Sequence, residues 1–221
     1  GPIAMGSIVS DFLPTFLLGF SSLFPLINPV GTALIIQPYF SDLDGPSRKQ
    51  HAFRIVLICF LMGFITLHLG SFILKFMGVS IPATQTAGGI VIAVLGFNLL
   101  NSQAASNDVE DGKRNIDDSI FYPLSFPLTL GPGGLATLIA LSAHVHSDGN
   151  NFLSPKMTAI TLSLLVILAI AYFCFANTSM LVKRMGSNGS QVVNRLMSFL
   201  VFCIGIQMAF TGIMGLIKSS A

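Results

Sequence analysis

Six stretches of this chain are each long enough and apolar enough to cross a lipid bilayer, and no other feature limits its fold so sharply. A span needs about 20 apolar residues to cover about 30 Å of hydrocarbon. Residues 12–40, 55–76, 81–100, 120–145, 159–182 and 192–217 meet that requirement. Inside hydrocarbon the protein must satisfy every backbone polar group itself, which leaves only helices or closed barrels. Runs of this length select helices. The expected fold is an all-α membrane protein of six transmembrane helices. Only 9% of the residues are charged and 52% are hydrophobic, whereas soluble domains are about a quarter charged. No soluble domain of any size is expected beside the spans.

The opening Gly-Pro-Ile-Ala-Met-Gly-Ser reads as a protease scar and cloning linker, so residues 1–6 are set aside as a tag remnant. Residues 7–221 are expected to form one integral membrane domain. The first apolar run lacks a basic flank and a small-residue cleavage site, so it is read as a retained span. Cys59, Cys174 and Cys203 all fall in apolar stretches. An odd count at membrane depth argues against a disulfide framework or a metal cluster, and the three are read as small packing residues.

Lys and Arg set the orientation. Arg48, Lys49, Arg54, Lys113, Arg114, Lys183, Arg184 and Arg195 share one side; Lys75, Lys156 and Lys218 share the other. The first set is assigned to the cytoplasm, with both termini outside. The polar segment 101–119 is read as a cytoplasmic loop between two halves of three spans, about 7–100 and about 120–217.

The halves resemble each other. Lys75-Phe76-Met77-Gly78 is matched by Lys183-Arg184-Met185-Gly186, read as the end of the fifth span. Gly96-Phe97-Asn98-Leu99 is matched by Gly205-Ile206-Gln207-Met208, and Asn28-Pro29 by Gly131-Pro132. Matches in order at a nearly constant offset indicate a duplicated unit. Three is an odd number of spans, so the second copy enters from the opposite face. The result is a 3+3 inverted-topology repeat, frequent in secondary transporters.

The first and fourth stretches are too long and too rich in proline for plain helices. The first would extend about 43 Å as one helix at about 1.5 Å per residue. Pro25 and Pro29 interrupt it, and Pro123, Pro127 and Pro132 interrupt the fourth. Proline removes a backbone donor and clashes with the preceding turn. Asn28-Pro29 is a capping residue followed by proline at a first helical position, the favoured start of a new helix. Gly131-Pro132 offers a similar start. Each stretch is therefore read as two half-helices with a fresh N-terminus near the midplane, the alternative being ordinary kinks with packing glycines. Two inverted N-termini facing one cavity would hold an anion or carboxylate without a cationic side chain. The substrate-binding candidates at the breaks are Asn28, Pro29, Val30, Gly31, Thr32, Thr129, Gly131, Pro132, Gly133 and Gly134. Gly31, Gly133 and Gly134 would admit a ligand to the backbone.

Gly89-x-x-x-Ala93, with Gly96 near the same face, and Gly205-x-x-x-Ala209 suit close helix packing in the third and sixth spans. Asn98 and Gln207 either bind substrate or join helices, and Thr84, Gln85 and Thr86 admit both readings. No Asp or Glu lies within a span. His68, on the second helix, is a hydrogen-bonded histidine or a proton relay. Without a buried carboxylate, divalent-metal transport is disfavoured. There is no P-loop, His cluster or Ser/His/Asp set, so no enzyme, cofactor or nucleic-acid partner is expected.

The chain resembles the MarC family of inner-membrane proteins. The resemblance rests on Asn28-Pro29, Ser80-Ile81-Pro82 with Ala87-Gly88-Gly89-Ile90, Pro127 with Gly131-Pro132-Gly133, and Arg195-Leu196-Met197 with Gly205-x-Gln207. Ser198 stands where the family usually has Gly. The resemblance implies six spans in the bacterial inner membrane and transport of small solutes, since the family includes a small neutral amino-acid transporter. The expected function is secondary transport or export of such amino acids. A channel-like facilitator of another small solute and a non-transporting scaffold are the alternatives. The expected partners are the lipid bilayer and the solute, with homo-oligomerisation left open.

Overall fold

The computed structural model describes residues 2–101, 116–146 and 154–220. Every regular element among them is a helix: α1 (Pro2–Ile27), α2 (Pro29–Phe40), α3 (Gly45–Phe76), α4 (Ile81–Asn101), α5 (Ile116–Ser119), a segment of wide π-type turns (Ile120–Thr129), α6 (Pro132–His146), α7 (Pro155–Ala176) and α8 (Thr178–Ser220). Most of the expected cytoplasmic loop, 102–115, lies outside the described residues. Five helices are long and apolar enough to cross a membrane. The pair Ile116–Thr129 and Pro132–Ala143, bent by 61°, makes a sixth if taken as one span.

Helix starts follow their local chemistry. Asp44 caps α3 by accepting from the Ser47 N–H at 3.1 Å, and Ser154 caps α7 by accepting from the Met157 N–H at 3.2 Å. Each cap stands just ahead of a proline in the first turn, where its missing N–H costs nothing. The hydrogen bonds from Ser47 hold the Asp44 carboxyl below the usual carboxylate range. Gly78 ends α3 with φ +70°, a left-handed conformation open to glycine without penalty.

The fifth span ends earlier than expected. Helix α7 stops at Ala176 and Asn177 caps it; α8 starts at Thr178. The stretch 183–191, expected to be a connection, is helical on both sides of a kink at Gly186, the last residue of Lys183-Arg184-Met185-Gly186. The only non-helical dihedrals within α8 are at Gly186 (φ 62°, ψ 178°). The apolar run to Val182 concealed this boundary, because hydropathy is blind to a cap such as Asn177, whose N–H donates to Phe173 O at 3.2 Å.

The apolar residues divide between an interior and an outer coat. Leu23, Ile27, Ile36, Phe40, Leu124, Leu130 and Phe175 belong to one buried cluster. On α3, Phe53, Leu57, Leu61, Phe64, Leu69, Phe72 and Phe76 are exposed, and their spacing lays them along one face of the helix. An apolar outer stripe opposite an apolar inner face suits a helix bathed in lipid.

Helices α4 and α8 make the most extensive contact. They cross antiparallel in a fixed register: Thr86 against Gly212, Gly89 against Ala209, Ala93 against Gly205, and Gly96 against Phe202. At Gly89, Gly96 and Gly205 an added Cβ would meet backbone of the opposite helix. Small residues let the two backbones touch, the main source of helix affinity in lipid. Gly89→Leu or Gly205→Leu is expected to force the pair apart, at a cost of about 1–3 kcal/mol or more as over-packing. Gly45→Ala, with nothing within 4 Å of its new Cβ, serves as the control. Thermal melting of the detergent-solubilised variants should drop for the first two and stay near the parent for the third.

Candidate functional site

Among the described residues, two proline-rich places interrupt the helices of the first and fourth apolar stretches. Asn28 lies between α1 and α2 at φ 44°, ψ 65°, a left-handed conformation that Asn tolerates better than most residues. Its N–H donates to Phe24 O at 2.9 Å, and its own carbonyl accepts from the Thr32 N–H at 2.8 Å. The Gly31 N–H turns to Asn28 Oδ1 at 3.0 Å. In a continuous helix that N–H would serve Ile27 O, and Thr32 Oγ1 takes its place at 2.8 Å. Backbone groups disturbed at membrane depth are thus re-satisfied by side chains. Asp11–Phe40 still reads as one long span.

The second place is more open. Tyr122 and Phe126, each before a proline, take extended dihedrals (φ −122°, ψ 120° and φ −127°, ψ 125°), as the ring of a following proline dictates. Thr129 Oγ1 donates to Leu124 O at 2.7 Å and Ser125 Oγ to Ile120 O at 2.7 Å. Thr32 and Thr129 therefore do the same work at the two breaks, each donating its hydroxyl to the carbonyl five residues back. Beyond Leu130 and Gly131, α6 begins at Pro132, and the Leu135 N–H returns to Gly131 O at 3.1 Å.

The glycines flanking the breaks are packed rather than open on their Cβ side. An added Cβ at Gly31 would strike the Asn28 amide, at Gly133 the Ile92 side chain, and at Gly134 Leu130 Cδ1 at 2.8 Å. Pro29 is buried, Val30 and Gly131 half-buried, and Pro132 exposed.

The cavity between the halves lies beside the breaks. It measures about 430 Å³ and is lined by side chains of α1, α4, α6 and α8, including Ser21, Ser22, Gln85, Thr137, Gln207 and Thr211. All six are polar and uncharged. Of the candidates, only Gln207 reaches it. Asn98 is exposed on α4 and is not part of the lining, so the two amides expected to be equivalent are separated. His68 is likewise outside it: its Nδ1 lies 2.9 Å from Phe64 O, and its ring stacks on Phe64 at 4.1 Å between centroids.

Ser21, Ser22, Thr137 and Thr211 were not singled out by sequence. A hydroxyl within an apolar helix commonly bonds back to its own helix. Ser21 does so to Leu18 O at 3.2 Å, and Thr211 to Gln207 O at 2.9 Å. Such residues carry no signal until the fold gathers several around one space.

The comparisons agree with this architecture. The MarC family of integral membrane proteins matches residues 13–217. The UPF0056 inner membrane protein MarC of Salmonella paratyphi A is 25% identical over 217 residues, covering 95% of this chain and 98% of that protein. Its counterpart in Escherichia coli O157:H7 is 26% identical over 218 residues, covering 95% and 99%. No solved structure matches. Since the match runs from the first span through the sixth, this chain belongs to the MarC family of integral membrane proteins.

Proposed function

We propose that the chain is a secondary transporter or exporter of small neutral amino acids in the bacterial inner membrane, with both termini periplasmic. The observation that carries this reading is the uncharged cavity between α1, α4, α6 and α8, where six polar side chains share the lining with Leu18, Ala140, Leu141, Ile204 and Met208. Hydroxyls and amides gathered around one space among the spans give a small polar solute hydrogen-bonding partners there. A scaffold would have no use for such a space between its halves, and a metal ion or a substrate with net charge would call for charged side chains.

An inverted repeat gives the cavity its mechanism. One contact recurs when the halves are exchanged in the register that matches Gly96 with Gly205: Gly205 meets Ala93 as Gly96 meets Phe202. Helix α2 packs on α8 as α6 packs on α4. Gly78 and Gly186, matched in sequence, both have positive φ. In this reading Thr137 lies about 7.5 Å beyond Pro132 along α6, and Ser21 and Ser22 about 9–10 Å before Asn28 along α1. The cavity is then the outer vestibule of a site at the breaks. On the other side of the breaks, Ile36, Phe40, Ile55, Leu124 and Phe175 are fully packed, as in an outward-facing state. A substrate carboxylate would be held at the N-terminus of α6, by Gly133 and Gly134, with Asn28, Pro29, Val30, Gly31 and Thr32 forming the opposite wall.

Three outcomes are expected. In competition binding to purified protein, alanine should bind about tenfold to over a hundredfold more tightly than its methyl ester. That difference is the cost of losing a charge-assisted hydrogen bond, about 1.5–3 kcal/mol. Equal affinities would sink the carboxylate site, and no binding of any amino acid would favour another solute or a scaffold. In proteoliposomes, Thr137→Val and Gln207→Leu should each weaken transport about twofold to tenfold at unchanged melting temperature, as expected for one neutral hydrogen bond. Cysteines placed at Lys49 and Lys218 in a cysteine-free background should label from opposite faces, with Lys218 reached from outside intact cells; the reverse would overturn the orientation.

A further inference from the structure

A second cavity, independent of the transport reading, lies at the ends of the candidate spans Gly45–Gly70 and Pro155–Ala176, where the first turns of α3 meet the junction of α7 and α8. It measures about 410 Å³, and its lining includes Arg48, Asn177, Ser179, Lys183 and Arg184. Three cations thus surround one space, and the lining contains no carboxylate. Among the described residues no acidic group forms an ion pair with any of the three. By contrast Arg54, two turns along α3 from Arg48, is paired with Asp117 at 2.7 Å.

Arg48 is the fixed member. Its Nη2 donates to Leu43 O at 3.0 Å and Phe40 O at 3.4 Å, which anchors the guanidinium between the end of α2 and the start of α3. Its Nε is buried and has no hydrogen-bond partner. Thr178, between the lining residues Asn177 and Ser179, is fully buried, and its Oγ1 also lacks a partner. Unsatisfied buried donors are costly, and here two of them lie in or beside a basic cavity. A planar guanidinium with an unused N–H suits a phosphate oxygen, and two flexible cations at the rim would complete the charge. The volume falls within the roughly 300–1,000 Å³ of small-ligand sites.

We infer that this cavity binds a phosphate group, either of an anionic phospholipid headgroup at the bilayer surface or of a soluble phosphate. Position favours the lipid, because the ends of membrane spans meet headgroups and basic pockets there attract them. Lys183 and Arg184 are both exposed, so changing them leaves the packing intact, whereas Arg48→Gln would also free the Phe40 and Leu43 carbonyls.

The test is native mass spectrometry of the purified full-length chain in detergent, with phosphatidylglycerol and phosphatidylcholine as probes and inorganic phosphate as competitor. Phosphatidylglycerol is expected to bind at least tenfold more tightly than phosphatidylcholine. The K183Q/R184Q variant should lose about tenfold or more of that affinity, while K75Q/K218Q, altered at other helix ends, should not. Competition by millimolar phosphate would assign the site to free phosphate as well; its absence would assign it to the headgroup. Equal retention of the two lipids, or unchanged affinity in K183Q/R184Q, would overturn the inference.

Discussion

A backbone group that loses its helical partner at membrane depth has to find another within the protein, since hydrocarbon supplies none. This constraint shapes both departures from regular helix. At Asn28 one side chain and one reversed residue redirect the Gly31 N–H, and Thr32 supplies the donor that Ile27 O has lost. In Ile120–Thr129, Ser125 and Thr129 serve carbonyls five residues back. The chain can therefore hold extended residues among its spans while the carbonyls of Ile27, Ile120 and Leu124 stay bonded. The same repairs occupy the side chains of Asn28, Thr32 and Thr129, which act first as backbone partners.

The second constraint is that lipid gives apolar helices little reason to associate. Close backbone contact has to supply it, and the α4–α8 crossing does so through small residues on both sides. Around this pair, α2 and α6 pack on α8 and α4 respectively, which leaves the polar space bounded by α1, α4, α6 and α8. The packed crossing and the cavity are consequences of one arrangement: glycine and alanine close the seam, and glutamine, serine and threonine line the gap beside it.

The two cavities differ in chemistry as their places require. The inner one is lined by neutral polar groups among the spans, where an unpaired charge would be expensive. The one at the helix ends gathers Arg48, Lys183 and Arg184, where water and headgroups keep charge affordable. Helix α8 contributes to both, its part before the kink at Gly186 to the cavity at the helix ends and its part after the kink to the inner one.

Hydropathy and proline chemistry are local, and the sequence by itself determined what depends on them. It determined the membrane-spanning class, the approximate extent of the apolar helices, and the family to which Asn28-Pro29 and Gly131-Pro132-Gly133 point. It missed Asn177, where a polar cap ends α7 within an apolar run, and it gave no sign that the Cβ sides of Gly31, Gly133 and Gly134 are packed against neighbouring side chains. The tertiary structure alone decided that Gln207 lines a cavity while Asn98 faces outward. It alone brought Ser21, Ser22, Gln85, Thr137 and Thr211 to that cavity. Which face of a helix meets which neighbour depends on the shapes of side chains distant in the chain, and an isolated hydroxyl in an apolar helix reads the same whether it faces lipid, carbonyl or cavity.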